Sequence, residues 1–310
     1  MSAPHPIDVS VIILNWNTRD LLAECLRIAQ ARVDDLAVEW IVVDNASSDD
    51  SVAMVQRDFP HVRVIANEAN LGFAAGNNRG AQVSAGRYTL LLNTDAFLQP
   101  GALRAMVSLL DGQSRAGLCG ARLLNRDGSF QASFTPFPTL MREALILSGL
   151  GRLLFGPHYP SRGPEREVGP QPVDYVEGAC LLCRTEAYRQ VGGLDAGFFM
   201  YAEEVDLCMS MKRAGWSVWY HPGAEVIHLG GASSSLRKPE REGDLYVSRV
   251  RFFRKHYGPF AAGLLAGLIY VSAGLKYVMH GLLRWATGGR KGRPVVSPGR
   301  LAAKLRAARP

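Results

Sequence analysis

The sequence predicts an α/β protein with one mostly parallel sheet, helices on both of its faces, and a basic, apolar helical tail. Three observations lead there. From Val9 to Asn93, short apolar runs alternate with apolar residues at helical spacing, the pattern of successive βαβ units. Three of those runs end in Asn or Asp, at Asn15, at Asp44, and at Asn93 with Asp95. After Asp244 no Asp or Glu occurs, while 13 of the 35 Lys and Arg residues fall there, so the first 244 residues carry a net −6 and the rest +13.

The elements follow in chain order. Val9–Leu14 is a β-branched run, and Leu21, Leu22, Cys25 and Leu26 then recur at helical spacing, giving strand, loop and helix. Trp40–Val43 repeats the strand and ends on Asp44, after which Ser47–Asp50 offers helix caps. Val62–Ala66 is the third strand and Arg87–Asn93 the fourth. Between them Asn67–Gly80 is rich in Asn and Gly. A helix starting near Gly72 aims amides at an anion, whereas close helix packing explains Gly76 and Gly80 equally well. The spacing matches neither a dinucleotide fingerprint nor a phosphate loop with its Lys-Ser/Thr.

Beyond Leu110 the character changes. Leu118–Leu124 and Ser129–Thr135 flank Asn125-Arg-Asp-Gly128, a turn signal that predicts a hairpin. Pro136 and Pro138 lead into an apolar segment ending near Leu154, and Gly156–Pro172 reads as a loop over the site. Val173–Arg184 is strand-like, and Thr185–Val191 is a short helix closed by Gly192 and Gly193. Trp216–Tyr220 and Glu225–Leu229 are two more strands, the second carrying His228 before Gly230 and Gly231.

Several residues stand out chemically. Polar strand ends gathered on one sheet edge make a nucleotide site the first expectation. Asp95, a hard oxygen ligand, suits a divalent cation on substrate phosphates, though a turn or cap role also accounts for it. Glu203, Glu204 and Asp206 crowd the first turn of a predicted helix. The macrodipole favours acids there, but three carboxylates exceed what capping needs, so one is a candidate general base. His228 is either a metal ligand or a satisfied strand histidine. The five cysteines form no secreted scaffold, and Cys180-Leu-Leu-Cys183 lies in an apolar run without a second pair. With no basic, apolar start to the chain, a reducing, cytoplasmic setting is expected.

Five segments in order resemble the inverting family 2 glycosyltransferases of the GT-A fold, most closely the bacterial rhamnosyltransferase-like branch. They are Val11–Asn17 (VIILNWN), Val42–Asp49 (VVDNASSD), Asn70–Gly80 (NLGFAAGNNRG), Leu91–Asp95 (LLNTD) and Gly193–Asp206 (GLDAGFFMYAEEVD). The resemblance implies a nucleotide-sugar site at Asn15, Asn17, Asp44, Asn70, Gly72, Asn77, Asn93 and Asp95, with Asp44 on the base or ribose. It implies Mg²⁺ or Mn²⁺ held on the diphosphate by Asp95, with His228 a ligand as in some relatives. Asn93 stands where the family has the first Asp of its Asp-x-Asp motif. Glu204 matches the base, usually an Asp, so Glu203 and Asp206 remain alternative bases.

The implied reaction moves a sugar, best guessed as rhamnose from dTDP-rhamnose, onto a glycan or polyprenyl-linked glycan hydroxyl in cell-surface polysaccharide synthesis. A UDP-sugar is the alternative donor, and a non-catalytic glycan-binding module the alternative of another class. A processive synthase needs several long spans and a Gln-x-x-Arg-Trp motif, which Leu283-Arg284-Trp285 does not complete. The division expected is a catalytic domain at 1–244 and a membrane-associating region at 245–310. Pro259–Leu275 is free of charge but shorter than the ~20 apolar residues of a spanning helix. An in-plane helix with a polybasic flank, on the inner face of the cytoplasmic membrane, is therefore expected. Nucleic acid is not an expected partner, and the sequence carries no sign of oligomeric state.

Overall fold

The computed structural model describes residues 7–161, 169–231, 238–286 and 298–307. Strands β1 (Val9–Asn15), β2 (Val38–Asp44), β3 (Arg63–Ala66) and β4 (Tyr88–Asn93) are linked by helices α1 (Arg19–Gln30), α2 (Ser51–Asp58) and α3 (Gly72–Val83). There follow β5 (Ala96–Leu98), α4 (Ala102–Gly112), β6 (Ala116–Leu124), β7 (Phe134–Thr135), α5 (Leu140–Ser148) and α6 (Leu150–Phe155). Next come β8 (Gln171–Val173), β9 (Tyr175–Val176), β10 (Cys180–Arg184), α7 (Thr185–Gln190), α8 (Glu203–Arg213) and β11 (Ser217–His228). The chain closes with α9 (Lys238–Ala286) and α10 (Pro298–Ala307).

The chain forms two compact units. The first takes residues through Phe137, Ser161–Phe199 and Glu203–Ser235. Its main sheet has the order β3-β2-β1-β4-β10-β6-β11-β5, with β8 also on β11. Pairing is parallel from β3 to β4 and again between β6 and β11, while β10, β5 and β8 run antiparallel to their neighbours. The sheet is thus mixed, parallel where the sequence alternates strand and helix. Successive residues of β1 face opposite ways. Val9, Val11 and Ile13 pack with Leu22 and Leu26 of α1 on one face, and Ile12 packs with Ala74 of α3 and Leu207 of α8 on the other. This is why the strands are apolar throughout rather than alternating.

Two local expectations change. The predicted hairpin shrinks to its turn, closed by Gly128 N–H to Asn125 C=O (2.9 Å) and a Leu124–Phe130 bridge. Both edges of β6 are already taken, by β10 and β11, so the departing chain pairs elsewhere, β7 with β9. Trp216–Leu229 is one strand rather than two, because a register shift between His221 and Glu225 absorbs the Pro222-Gly223 interruption. All five cysteines are buried and free. Cys180 and Cys183 lie on opposite faces of β10, and burial pushes the Cys180 thiol up to about 12, so the pair is structural.

The second unit comprises Pro138–Pro160, Met200–Ala202 and the residues from Leu236 onward. The division expected at 244 falls inside α9. The helix begins earlier, and α5 joins it through an Arg249–Glu143 ion pair (2.9 Å), Tyr257 O–H to Pro138 C=O (2.9 Å) and Ser272 O–H to Leu147 C=O (3.1 Å). α9 breaks at Gly258 (φ 90°), and Pro259 opens its second segment. That segment continues to Ala286, beyond the apolar stretch expected, and an 18-residue window reaches a mean hydropathy of 1.6. By length and composition α9 can cross a membrane. Of the Gly156–Pro172 loop, residues 162–168 lie outside the described residues, as do 287–297 and 308–310 of the basic tail.

Candidate active site

The site grows from the carboxyl ends of β1, β2 and β4, which lie side by side in register. Asn15 is fully buried, and its amide donates to Ser47 Oγ (3.1 Å) and Asp44 Oδ1 (3.4 Å). Asp44 is also buried and accepts from Ser47 N–H at 3.1 Å. Asn17, at φ 51°, accepts from Ser48 N–H (2.8 Å). These three residues therefore hold the 44–50 loop against the end of β1. The Thr18 hydroxyl bonds Asn15 Oδ1 (2.8 Å) and the Thr94 hydroxyl (3.0 Å), joining the start of α1 to the turn after β4.

The Asn- and Gly-rich segment does two jobs. Asn70 Oδ1 accepts from Gly72 N–H (2.9 Å) and the Asn45 amide (3.2 Å), which closes the turn into α3. Gly72 is required there: its φ is +81°, and a Cβ would sit 2.4 Å from the Phe199 carbonyl. Gly76 and Gly80 pack α3 onto Leu14 and Ile12. Asn77 is buried, bonded to the Phe73 carbonyl (3.0 Å). Its neighbour Asn78, which sequence reasoning passed over, is the clamp. It accepts from Tyr188 O–H (2.7 Å) and Leu194 N–H (3.1 Å) and donates to Leu194 C=O (2.7 Å), fixing the 193–199 loop.

Asp95 follows Asn93 and Thr94 at the turn from β4 into β5. β5 pairs antiparallel with β11, placing His228 opposite Ala96, and Leu229 N–H bonds the Asp95 carbonyl (3.0 Å). His228 Nε2 thereby comes 3.4 Å from Asp95 Oδ1, the ring 16% and the carboxylate 7% exposed. These residues, 133 positions apart in sequence and paired there only through the family resemblance, are brought side by side by the sheet. The Asn93 side chain makes no hydrogen bond among the described residues. No group of three or more His, Cys, Asp or Glu gathers as a ready-made metal cage there either.

Two donors nevertheless fit a hard divalent cation, and the imidazole among them suits Mn²⁺ better than Mg²⁺. Such ions take carboxylate oxygen, keep several waters, and are completed by substrate phosphates rather than by an all-protein cage. Adjacent ligands at ~2.1 Å from an octahedral ion stand about 3 Å apart, close to the separation seen.

Backbone pairing carries the site to the second carboxylate group. Asn93 N–H bonds Ala179 C=O (3.0 Å) where β4 meets β10, and Gly178 lies against the Glu204 side chain, a Cβ built there falling 3.6–3.8 Å from it. The Asp95 turn and the acidic start of α8 thus flank the same 177–179 segment. Glu203 and Asp206 are buried and Glu204 is half-buried.

Their environments push the carboxyls apart. Burial, then the neighbouring Glu204, raises Glu203 well above the usual carboxylate range, and its Oε2 has no hydrogen-bond partner. Burial raises Glu204 to about 6, against the lowering effect of the Glu204 and Val205 amides. Glu177, which no local signal marks, is raised to about 8 by burial and by Glu204, despite a long bond from Thr135 Oγ1 (3.5 Å). Glu204 is thus raised less far than Glu177.

Comparison with known proteins identifies the family and the fold. The profile of Glycosyl transferase family 2 matches residues 10–191. The N-acetylglucosaminyl-diphospho-decaprenol L-rhamnosyltransferase of Mycobacterium tuberculosis is 32% identical over 209 residues, 62% of this chain and 66% of that protein. The chain therefore spans just under two thirds of that relative's length. The low-salt glycan biosynthesis hexosyltransferase Agl10 of Haloferax volcanii is 28% identical over 226 residues, 71% of this chain and 67% of that protein. Among solved structures, the mannosyltransferase PcManGT from Pyrobaculum calidifontis, in complex with GDP-Man and Mn2+, aligns with a TM-score of 0.54 at 16% identity. It covers 99% of this chain and 88% of its own. GalNAc-T7 with UDP, GalNAc and Mn2+ aligns with a TM-score of 0.59 at 15% identity, over 81% and 48%. At such identities these two likenesses establish the fold, a GT-A-like mixed sheet with helices.

Proposed function

The chain belongs to glycosyl transferase family 2, and from that premise we propose an inverting transferase acting on a lipid-linked glycan in cell-surface polysaccharide synthesis. The donor is a nucleoside-diphosphate sugar, with dTDP-rhamnose favoured over UDP-sugars. The observation that carries the reading is the convergence of Asp95 and His228 on one side of the 177–179 segment with Glu204 on the other. The rhamnosyltransferase relative, whose name specifies an N-acetylglucosaminyl-diphospho-decaprenol acceptor, supports both the sugar and the lipid carrier.

Glu204 is the base. Its carboxyl, raised to about 6, ionises more readily than that of Glu177, raised to about 8, and it is less buried than Glu203 or Asp206. It takes the proton of the acceptor hydroxyl as that oxygen attacks the anomeric carbon, and the nucleoside diphosphate departs from the opposite face, inverting the centre. Asp95 and His228 would hold Mg²⁺ or Mn²⁺, which when bound supplies positive charge for the departing diphosphate. Asn15, Asn17 and Asp44 act on the nucleotide through the 44–50 loop they hold, and Asn70, Gly72 and Asn77 through the turn and start of α3.

The membrane is the second partner. On α9, Phe260, Val271, Leu275, Leu282 and Trp285 are exposed, and the positive charge of the tail suits an anionic inner leaflet. Its length admits a crossing helix as well as an in-plane one.

The test is Glu204→Gln. General-base catalysis is worth about 10²–10⁴-fold, so kcat should fall by that range while the nucleotide still binds with near-wild-type affinity. Wild-type transfer by this variant would remove Glu204 as the base. Undiminished transfer in EDTA would remove the metal.

A further inference from the structure

The turn after β6 does more than reverse the chain. The Asn125 amide nitrogen donates to Phe130 C=O (3.2 Å) and Ser129 Oγ (2.9 Å), so Asn125 Oδ1 is an acceptor. Gln131 Nε2 lies 3.0 Å from that oxygen and 3.1 Å from the His228 backbone carbonyl. Both partners accept only, and each is tied to a backbone carbonyl, so the orientation of both amides is fixed by the main chain. Gln131 Oε1 is left facing the imidazole, 2.6 Å from His228 Nδ1.

An amide oxygen cannot donate, so Nδ1 carries the hydrogen, and whenever the ring is neutral its Nε2 is a bare lone pair. That lone pair points toward Asp95 Oδ1, 3.4 Å away. Two electron-rich atoms so placed repel each other, and the arrangement becomes favourable once a cation lies between them. Isolated histidine prefers the other tautomer, with the hydrogen on Nε2, which would block this. We propose that Gln131, oriented by Asn125, is a positioning residue that holds His228 as the Nδ1–H tautomer so that Nε2 and Asp95 receive a divalent cation together. The proposal rests on the metal reading given above. It assigns a purpose to Asn125, which the sequence marks only as a turn former.

Partners that orient a ligand imidazole typically account for about 10–100-fold in metal affinity. The experiment is Mn²⁺ binding by the full chain, alone and with UDP or dTDP, followed by the electron paramagnetic resonance of free Mn²⁺. ¹⁵N NMR of the His228 ring in metal-free protein accompanies it. Wild-type protein should bind Mn²⁺ and show a protonated Nδ1 with an unprotonated Nε2. Gln131→Leu should bind about 10–100-fold more weakly and shift its ring toward Nε2–H. Wild-type protein that takes no Mn²⁺ would overturn the metal reading and this proposal with it. Wild-type binding matched within twofold by Gln131→Leu would overturn the proposal alone. If that variant does not fold, the wild-type ring decides, since an Nε2–H tautomer there refutes the assignment without any substitution.

Discussion

Replacing Glu177 by Gln should stabilise the protein increasingly as pH rises from about 4.5 to about 8 and leave it nearly unchanged below that window. In the folded chain burial and Glu204 raise this carboxyl from 4.5 to about 8. The folded state therefore keeps a proton that the unfolded chain releases, and stability falls as pH rises from about 4.5 to about 8. Below that window both states are protonated and the residue costs nothing; above it the cost is complete. The slope is about 1.4 kcal/mol per pH unit, or ~3 kcal/mol between pH 6 and pH 9. Glu177 is half-buried, not sealed, so solvent screening reduces this to about 1–2 kcal/mol. Gln keeps the shape and the acceptor for Thr135 but never ionises. Paired thermal melts of wild type and Glu177→Gln should show a gap that widens by roughly 2–8 °C in favour of the variant between pH 6 and pH 9. Titrating groups that do not interact with Glu177 cancel in that difference. A gap that stays constant, or that opens toward acid, would refute a proton held on Glu177 and with it the selection of Glu204 as the more readily ionised carboxyl.

Two further outcomes follow from the geometry. Asn78→Ala removes three hydrogen bonds, strips the Leu194 carbonyl of its donor, and leaves the Leu194 N–H and the buried Tyr188 hydroxyl only their long bond to each other (3.3 Å). An expected loss of about 2–4 kcal/mol, read from urea midpoints, should accompany a fall in kcat, because the released 193–199 loop leads to α8; unchanged stability would contradict the clamp. Vesicles rich in phosphatidylglycerol should carry the full chain upward in a flotation gradient. Val271→Lys with Leu275→Lys should weaken that partition, and equal flotation of the double variant would argue against α9 as the contact.

Much of the site was legible before any coordinates. β1 to β4 announce themselves by apolar runs bounded by polar strand ends, and Asp95, His228 and the acidic start of α8 stand at element termini where a local pattern suffices to mark them. The hairpin after Leu124 failed because turn chemistry is local while strand pairing is a competition for edges, and β10 and β11 had taken both edges of β6. The length of α9 was underread because the stretch was bounded by its freedom from charge, which ends before Lys276, whereas the helix continues past that residue to Ala286.

Glu177, Asn78, Asn125 and Gln131 are of another kind. Each is an ordinary polar residue in an ordinary local setting; the roles of Glu177, Asn78 and Gln131 come from partners 27 to 116 positions away, and Asn125 acts through Gln131. Residue order shows which side chains can do chemistry and at which strand and helix ends they sit. Which of them stand within hydrogen-bonding reach, which carboxyl keeps its proton and which imidazole nitrogen is left bare depend on desolvation and on charges from other strands. Those forces act over a few ångströms of space rather than along the chain, so only the folded sheet could decide them.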